Sequence, residues 1–194
     1  MDLSRRALFR GRFSSNSIAI VQKVRMPWMV SSEVFTDHCS RCAKCIDVCP
    51  EQIIEKGDGG YPTVNFKHGE CTFCAECVDV CSEPVFRNKE EKPWDLVANI
   101  TEAFSSSSSV SLDGVCMAHQ GVVCQSCKDV CDVRAIRMSY QSSTVPVPVI
   151  DDDVCTGCGA CLSVCPTQAI QMSSIEKKNL MNNCAADQQT GVKE

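Results

Sequence analysis

Sixteen of the chain's seventeen cysteines fall into four groups whose spacing leaves few folds open. The first is Cys39, Cys42, Cys45 and Cys49, followed by Pro50, and the second is Cys71, Cys74, Cys77 and Cys81. The third is looser, Cys116, Cys124, Cys127 and Cys131, and the fourth, Cys155, Cys158, Cys161 and Cys165 followed by Pro166, returns to the tight form. Aromatic residues make up only 6% of the 194 residues, so a conventional core would be thin. Something bound to the cysteines is expected to supply part of the folding free energy.

Three chemistries use cysteine at this density: disulfides, zinc sites and iron–sulfur ligation. Disulfides need an oxidising compartment. Ser4-Arg5-Arg6-Ala7-Leu8-Phe9 resembles a twin-arginine export motif, but the longest apolar run behind it, Ile18 to Val21, is soon broken by Lys23 and Arg25. A cytoplasmic, reducing location is therefore expected. Zinc favours two CxxC pairs from separate turns. Three cysteines at i, i+3 and i+6 instead wrap one face of a cube, while the fourth, often followed by Pro, ligates the neighbouring cluster in two-cluster proteins. This exchange rule gives four ligand sets: Cys39, Cys42, Cys45 and Cys81; Cys71, Cys74, Cys77 and Cys49; Cys116, Cys124, Cys127 and Cys165; and Cys155, Cys158, Cys161 and Cys131. Three or four 4Fe–4S clusters per chain are expected, the open question being the third group, whose first gap is five residues longer.

The groups come in two similar pairs. A β-prone stretch precedes the second member of each, Tyr61 to Phe66 and Val145 to Ile150. A short apolar step follows three of the groups, at Ile53-Ile54, Ala135-Ile136 and Ala169-Ile170. The fold class expected is α+β, with two tandem bacterial-ferredoxin-like units of short helices and two-stranded sheets. Ser105 to Ser109 reads as a linker between them. The expected divisions are a basic arm at 1–30, a first unit at 31–102, a Ser-rich linker at 103–112, a second unit at 113–175 and a polar tail at 176–194.

Small residues inside the groups, Ala43, Ala75, Gly157, Gly159 and Ala160, are expected to let backbone N–H groups approach the sulfurs. Val48, Val80, Val130 and Val164, each before a last cysteine, are expected to pack over the clusters. Trp28 and Trp94 read as anchors for the segments flanking the first unit. His119 sits inside the third group and reads as a loop histidine, and Cys184 as a free thiol. Residues 1–30 carry six Arg or Lys against one acid, and the remainder thirteen against twenty-three. That places a basic arm before an acidic body, to fold onto it or recruit another acidic surface. The acidic body gives no support to nucleic-acid binding. The chain offers no membrane span and no catalytic constellation, so an electron-transfer or structural role, not an enzyme, is expected.

The ferredoxin-type motifs at 39–81 and 155–165, the stretched third group, and the segments Ser4 to Arg12 and Arg25-Met26-Pro27-Trp28 together resemble the NapF family, ferredoxin-type proteins of the periplasmic nitrate reductase system. The resemblance implies a cytoplasmic accessory protein that meets the precursor of the catalytic subunit before export. Its work there would be maturation, by inserting or reducing that subunit's own iron–sulfur cluster. The residues leave a second reading, an electron-transfer ferredoxin subunit of a larger oxidoreductase, and a third, a scaffold that donates clusters.

Overall fold

Each cysteine group is too short and too crowded with ligands to sustain a long helix, and each folds as a loop closed by a single helical turn. In the computed structural model, which describes residues 24–101, 114–140 and 144–174, these turns are α2 (Lys44–Asp47), α3 (Glu76–Asp79), α4 (Ser126–Asp129) and α5 (Ala160–Ser163). Each carries the third cysteine of its group. Each also ends on the expected valine as its C-cap: Val48, Val80, Val130 and Val164. The one longer helix described, α1 (Ser32–His38), begins where the Ser31 hydroxyl accepts from the Val34 N–H at 3.1 Å. It buries Phe35 against the Phe86 ring, 6.0 Å away.

Behind three of the groups the chain reverses at a residue with positive φ, Gln52, Arg134 and Gln168. Their amides bond back to Cys49, Cys131 and Cys165 at 3.0–3.2 Å. The apolar step that follows is buried in every case, from 1% exposed at Ala135 and Ala169 to 7% at Ile170. It opens the strands β1 (Ile54–Lys56), β4 (Ile136–Ser139) and β6 (Ile170–Ser174). The β-prone stretches supply β2 (Pro62–Val64) and β5 (Val147–Ile150). Antiparallel pairing sets Ile54 against Val64 in one half and Ile136 against Ile150 in the other. The repetition extends to single bonds, with Asn65 N–H to the Ile53 carbonyl at 2.7 Å and Asp151 N–H to the Ala135 carbonyl at 2.8 Å.

The third sheet departs from the divisions read in the sequence. Strand β3 (Leu96–Ile100) lies before the serine run, inside the span assigned to the first unit, yet it pairs antiparallel with β6, with Ala98 opposite Met172. In the first half the matching contact is the bridge between Met29 and Phe86. By that repeat β3 is the leading strand of the second unit, and the serine run lies between this strand and its first cysteine. Low sequence complexity is a compositional signal, which is not the same as a boundary between cores. Residues 24–30, read as the end of the arm, are likewise part of the first unit: Val24, Met26 and Trp28 are all buried. The rest of the arm at 1–23, the linker 103–112, and the tail 176–194 with Cys184 lie outside the described residues.

Buried side chains of both halves form one cluster, which includes Phe66, Trp94, Ala98, Ile136 and Met172 with Cys77, Cys127 and Cys161. No helix among the described residues is long and apolar enough to cross a membrane.

Candidate metal centres

The loops around the middle cysteines have an unusual backbone. Arg41 and Ala43 flank Cys42 with φ of 55° and 66°, and Phe73 and Ala75 flank Cys74 with 56° and 62°. Gly157 and Gly159 flank Cys158 with 75° and 87°. For a residue with a side chain this left-handed conformation costs roughly 1–2 kcal/mol. It also turns successive amides to one side, the concave arrangement of N–H groups that receives anions and cluster sulfurs. The amides of Lys44, Phe73 and Ala160 each lie two residues beyond a cysteine (Cys42, Cys71 and Cys158) and act on that sulfur as hydrogen-bond donors. The third group builds its loop differently. Gln125 has φ −130°, and Gly121, with φ 82°, closes the 3-10 turn Ala118–Gln120 that carries the extra residues.

Two of the four expected sets of cysteines each line a common cavity. Cys49 joins Cys71, Cys74 and Cys77 around a cavity of about 390 Å³, counting its opening to solvent, with Trp28 and Ile53 in the wall. Cys165 joins Cys116, Cys124 and Cys127 around a second of about 360 Å³, walled by Ile100, Ala169 and Ile170. Cys39, Cys42 and Cys81 act electrostatically on Cys45, and Cys158, Cys155, Cys127 and Cys131 on Cys161. Cys116 thus lines the same cavity as Cys124, Cys127 and Cys165. Cys116 is delivered by the extended edge of β3, its N–H bonding to the Thr101 carbonyl at 2.9 Å, with Val115 and Ala118 buried on either side.

Burial, reinforced by neighbouring cysteines, pushes the Cys45 and Cys127 thiols up to about 11 and that of Cys77 to about 12. Burial likewise raises Cys71 to about 11, and it raises Cys158 and Cys161. Fully exposed Cys42 moves down instead, because the Lys44 amide and the Ser40 hydroxyl stabilise its thiolate. Crowded, buried thiols of this kind become thiolates only when a cation replaces the protons. Among the described residues no three His, Cys, Asp or Glu side chains meet as the ligands of a single ion must. The sulfurs stand around cavities instead, with amides aimed at them. Four thiolates lining one cavity fit a cubane cluster.

Other expectations fare unevenly. Val48, Val80 and Val130 are half-buried and Val164 is 38% exposed; all four act as helix caps, and none lines either of the two cavities. Trp28 and Trp94 are buried anchors, but Trp94 reaches farther than expected, its indole donating to the Thr156 carbonyl of the fourth group at 3.2 Å. His119 lies in the 3-10 turn and is not among the residues lining the third cavity. The reading from sequence missed Arg41 and Phe73, which hold the left-handed positions that Gly157 holds in the fourth group. Aligning the internal repeats would have pointed to them. It also missed Phe66, which packs edge-on against Trp94 at 5.8 Å.

The 4Fe–4S dicluster domain family matches residues 38–86 and again residues 122–169. The second match begins beyond Cys116. Over 182 residues the chain is 38% identical to the ferredoxin-type protein NapF of Haemophilus influenzae, covering 91% of this chain and 97% of that protein. It is also 38% identical over 170 residues to the ferredoxin-type protein NapF of Escherichia coli K12, covering 88% and 94%. A more distant relative, the methylamine utilization ferredoxin-type protein MauM of Methylorubrum extorquens, is 26% identical over 162 residues, covering 78% of this chain and 71% of that protein. The architecture is two tandem 4Fe–4S dicluster domains with short helices and small two-stranded sheets.

Proposed function

The chain belongs to the NapF family of ferredoxin-type iron–sulfur proteins, and from that premise we propose that it is a cytoplasmic accessory protein assisting maturation of the periplasmic nitrate reductase catalytic subunit before export. Its sixteen grouped cysteines are the ligands in this reading, four to each of four 4Fe–4S clusters in the sets named above. When bound, such clusters supply one-electron redox chemistry. The chain's own residues hold the thiolates, turn amides toward them and exclude water. The single observation that supports the reading is the gathering of the second and third sets, Cys116 included, each around a cavity of its own.

Every iron capped by cysteine leaves no coordination position for a substrate, so the work would be done on a protein partner by giving electrons or iron–sulfur units. The basic residues of 1–23 suit the recruitment of an acidic surface on the precursor. The test is anaerobic co-purification. The protein is expected to capture the precursor that still bears its signal and to ignore the exported enzyme; equal capture of both, or of neither, would sink the maturation role. Iron counting after contact with cluster-free precursor then separates two actions: a cluster donor loses iron to its partner, and an electron donor keeps it. The second reading, an electron-transfer subunit of a larger oxidoreductase, is favoured by cysteine sets that run through both halves of one packed core.

A further inference from the structure

The two dicluster domains meet at cysteines. The Cys71 N–H donates to the Cys158 carbonyl at 2.8 Å. Cys71 is the first ligand of the second set, and Cys158 is the middle cysteine of the fourth. The junction is fixed on both sides. Trp94 bonds Thr156, and a side chain on Gly157 would lie 2.6 Å from the Leu96 carbonyl oxygen. Phe66 fills the space beside Gly159. Within each half the short helices pack in pairs, α2 on α3 and α4 on α5, joining the first set to the second and the third to the fourth.

We infer that the Cys71–Cys158 hydrogen bond is the bridge by which electrons cross between the halves, and that the four sets form one row in the order first, second, fourth, third. The inference rests on the ligand sets proposed above. Along this row a cluster that has taken one electron from a low-potential one-electron donor is reoxidised by one as its neighbour is reduced by one. No bond is made or broken and no proton is required. The first and third sets are the two ends, so an electron entering at one and leaving at the other passes Cys71 and Cys158. The order in sequence and the order in space differ because β3 returns to pair with the last strand, which turns the fourth group toward the first half.

The test removes sites in pairs from the full chain. Cys39→Ala, Cys42→Ala, Cys116→Ala and Cys124→Ala together leave the second and fourth sets. Cys71→Ala, Cys74→Ala, Cys155→Ala and Cys158→Ala leave the first and third. Each protein is assembled anaerobically, its iron counted, and then reduced with dithionite for paramagnetic resonance. Both are expected to hold about half the iron of the unaltered protein. The first should give a split, fast-relaxing signal from neighbouring spins, and the second two superposed signals without interaction. Two full clusters without coupling in the first protein would overturn the row while leaving the ligand sets standing. Loss of iron from the retained sets would overturn the ligand sets and the row with them. Hydrogen exchange on the unaltered, fully loaded protein gives a second reading that needs no deletion: the Cys71 amide is expected to be protected, and free exchange there would overturn the bridge.

Discussion

The ring of Phe66, in the first domain, occupies the space into which a side chain at Gly159, in the fourth cysteine group, would project. Gly159 also holds φ 87°. Gly159→Ala therefore meets two obstacles, a collision costing about 1–3 kcal/mol and a left-handed backbone costing roughly 1–2 kcal/mol. A lower thermal midpoint of the loaded protein is expected. Combining it with Phe66→Ala removes the collision and leaves the backbone term, so the double variant should be less destabilised than the sum of the singles. Additive effects would show that the two residues do not touch.

In the proposed sets Cys116 is the first ligand of the third site. Cys116→Ala is expected to lower the iron content from about sixteen atoms to about twelve, the loss of one cluster. Cys184→Ala, outside the four groups, should change nothing. Anaerobic iron and sulfide counting decides, and a Cys116 variant with undiminished iron would remove that residue from the ligands.

Ligand spacing, the apolar steps and the paired β-prone stretches were legible because each is a local pattern. Ile53-Ile54 and Ile136 open strands wherever a cysteine loop must be followed by a buried turn. The domain boundary was not legible, because strand β3 is assigned by its partner β6, about seventy residues away in sequence. The serine run was the louder local signal and carries no sign that Leu96–Ile100 pairs with a strand beyond it. Arg41 and Phe73 were hidden for a different reason. Nothing in the residue type announces a left-handed backbone when the cost is carried by the loop, whereas Gly157 announces it at once.

Removing iron should unfold much of the chain. Cys77, Cys127 and Cys161 belong to the buried cluster itself, and the one-turn helices around them are too short to persist alone. Far-UV circular dichroism after complete chelation is expected to lose most of its structured signal. An unchanged spectrum would mean that side-chain packing suffices.

Iron retention should also weaken as pH falls. The metal-bound state needs thiolates, whereas without metal these thiols carry protons, and wherever the fold persists burial holds the proton of Cys77 up to about 12 and those of Cys45, Cys71 and Cys127 up to about 11. The metal-free state therefore binds more protons, and by linkage acid favours it. Competition with a chelator across a pH series, followed by the visible absorbance of the clusters, is expected to show faster loss at lower pH. Retention that improves on acidification would contradict this.

Two truncations separate the basic arm from the fold it adjoins. Residues 24–30 are held by Val64 N–H to the Val24 carbonyl at 2.9 Å, by Arg87 N–H to the Trp28 carbonyl at 2.8 Å, and by the Trp28 indole to the Glu91 carbonyl at 2.9 Å. Pro27 and Trp28 also wall the cavity of the second set. Deleting 1–30 strips that wall along with a buried tryptophan, a loss on the scale of the ~3–5 kcal/mol of a core Trp→Ala change. Iron should be lost first from Cys49, Cys71, Cys74 and Cys77. Deleting 1–23 removes Arg5, Arg6, Arg10, Arg12 and Lys23 and leaves every one of these contacts. Its iron content should match that of the full chain while its affinity for the partner falls, more so at low ionic strength, where charge attraction is least screened. Partner affinity unaltered by the shorter deletion would show that the basic residues play no part in recruitment, and iron loss on that deletion would place them in the fold.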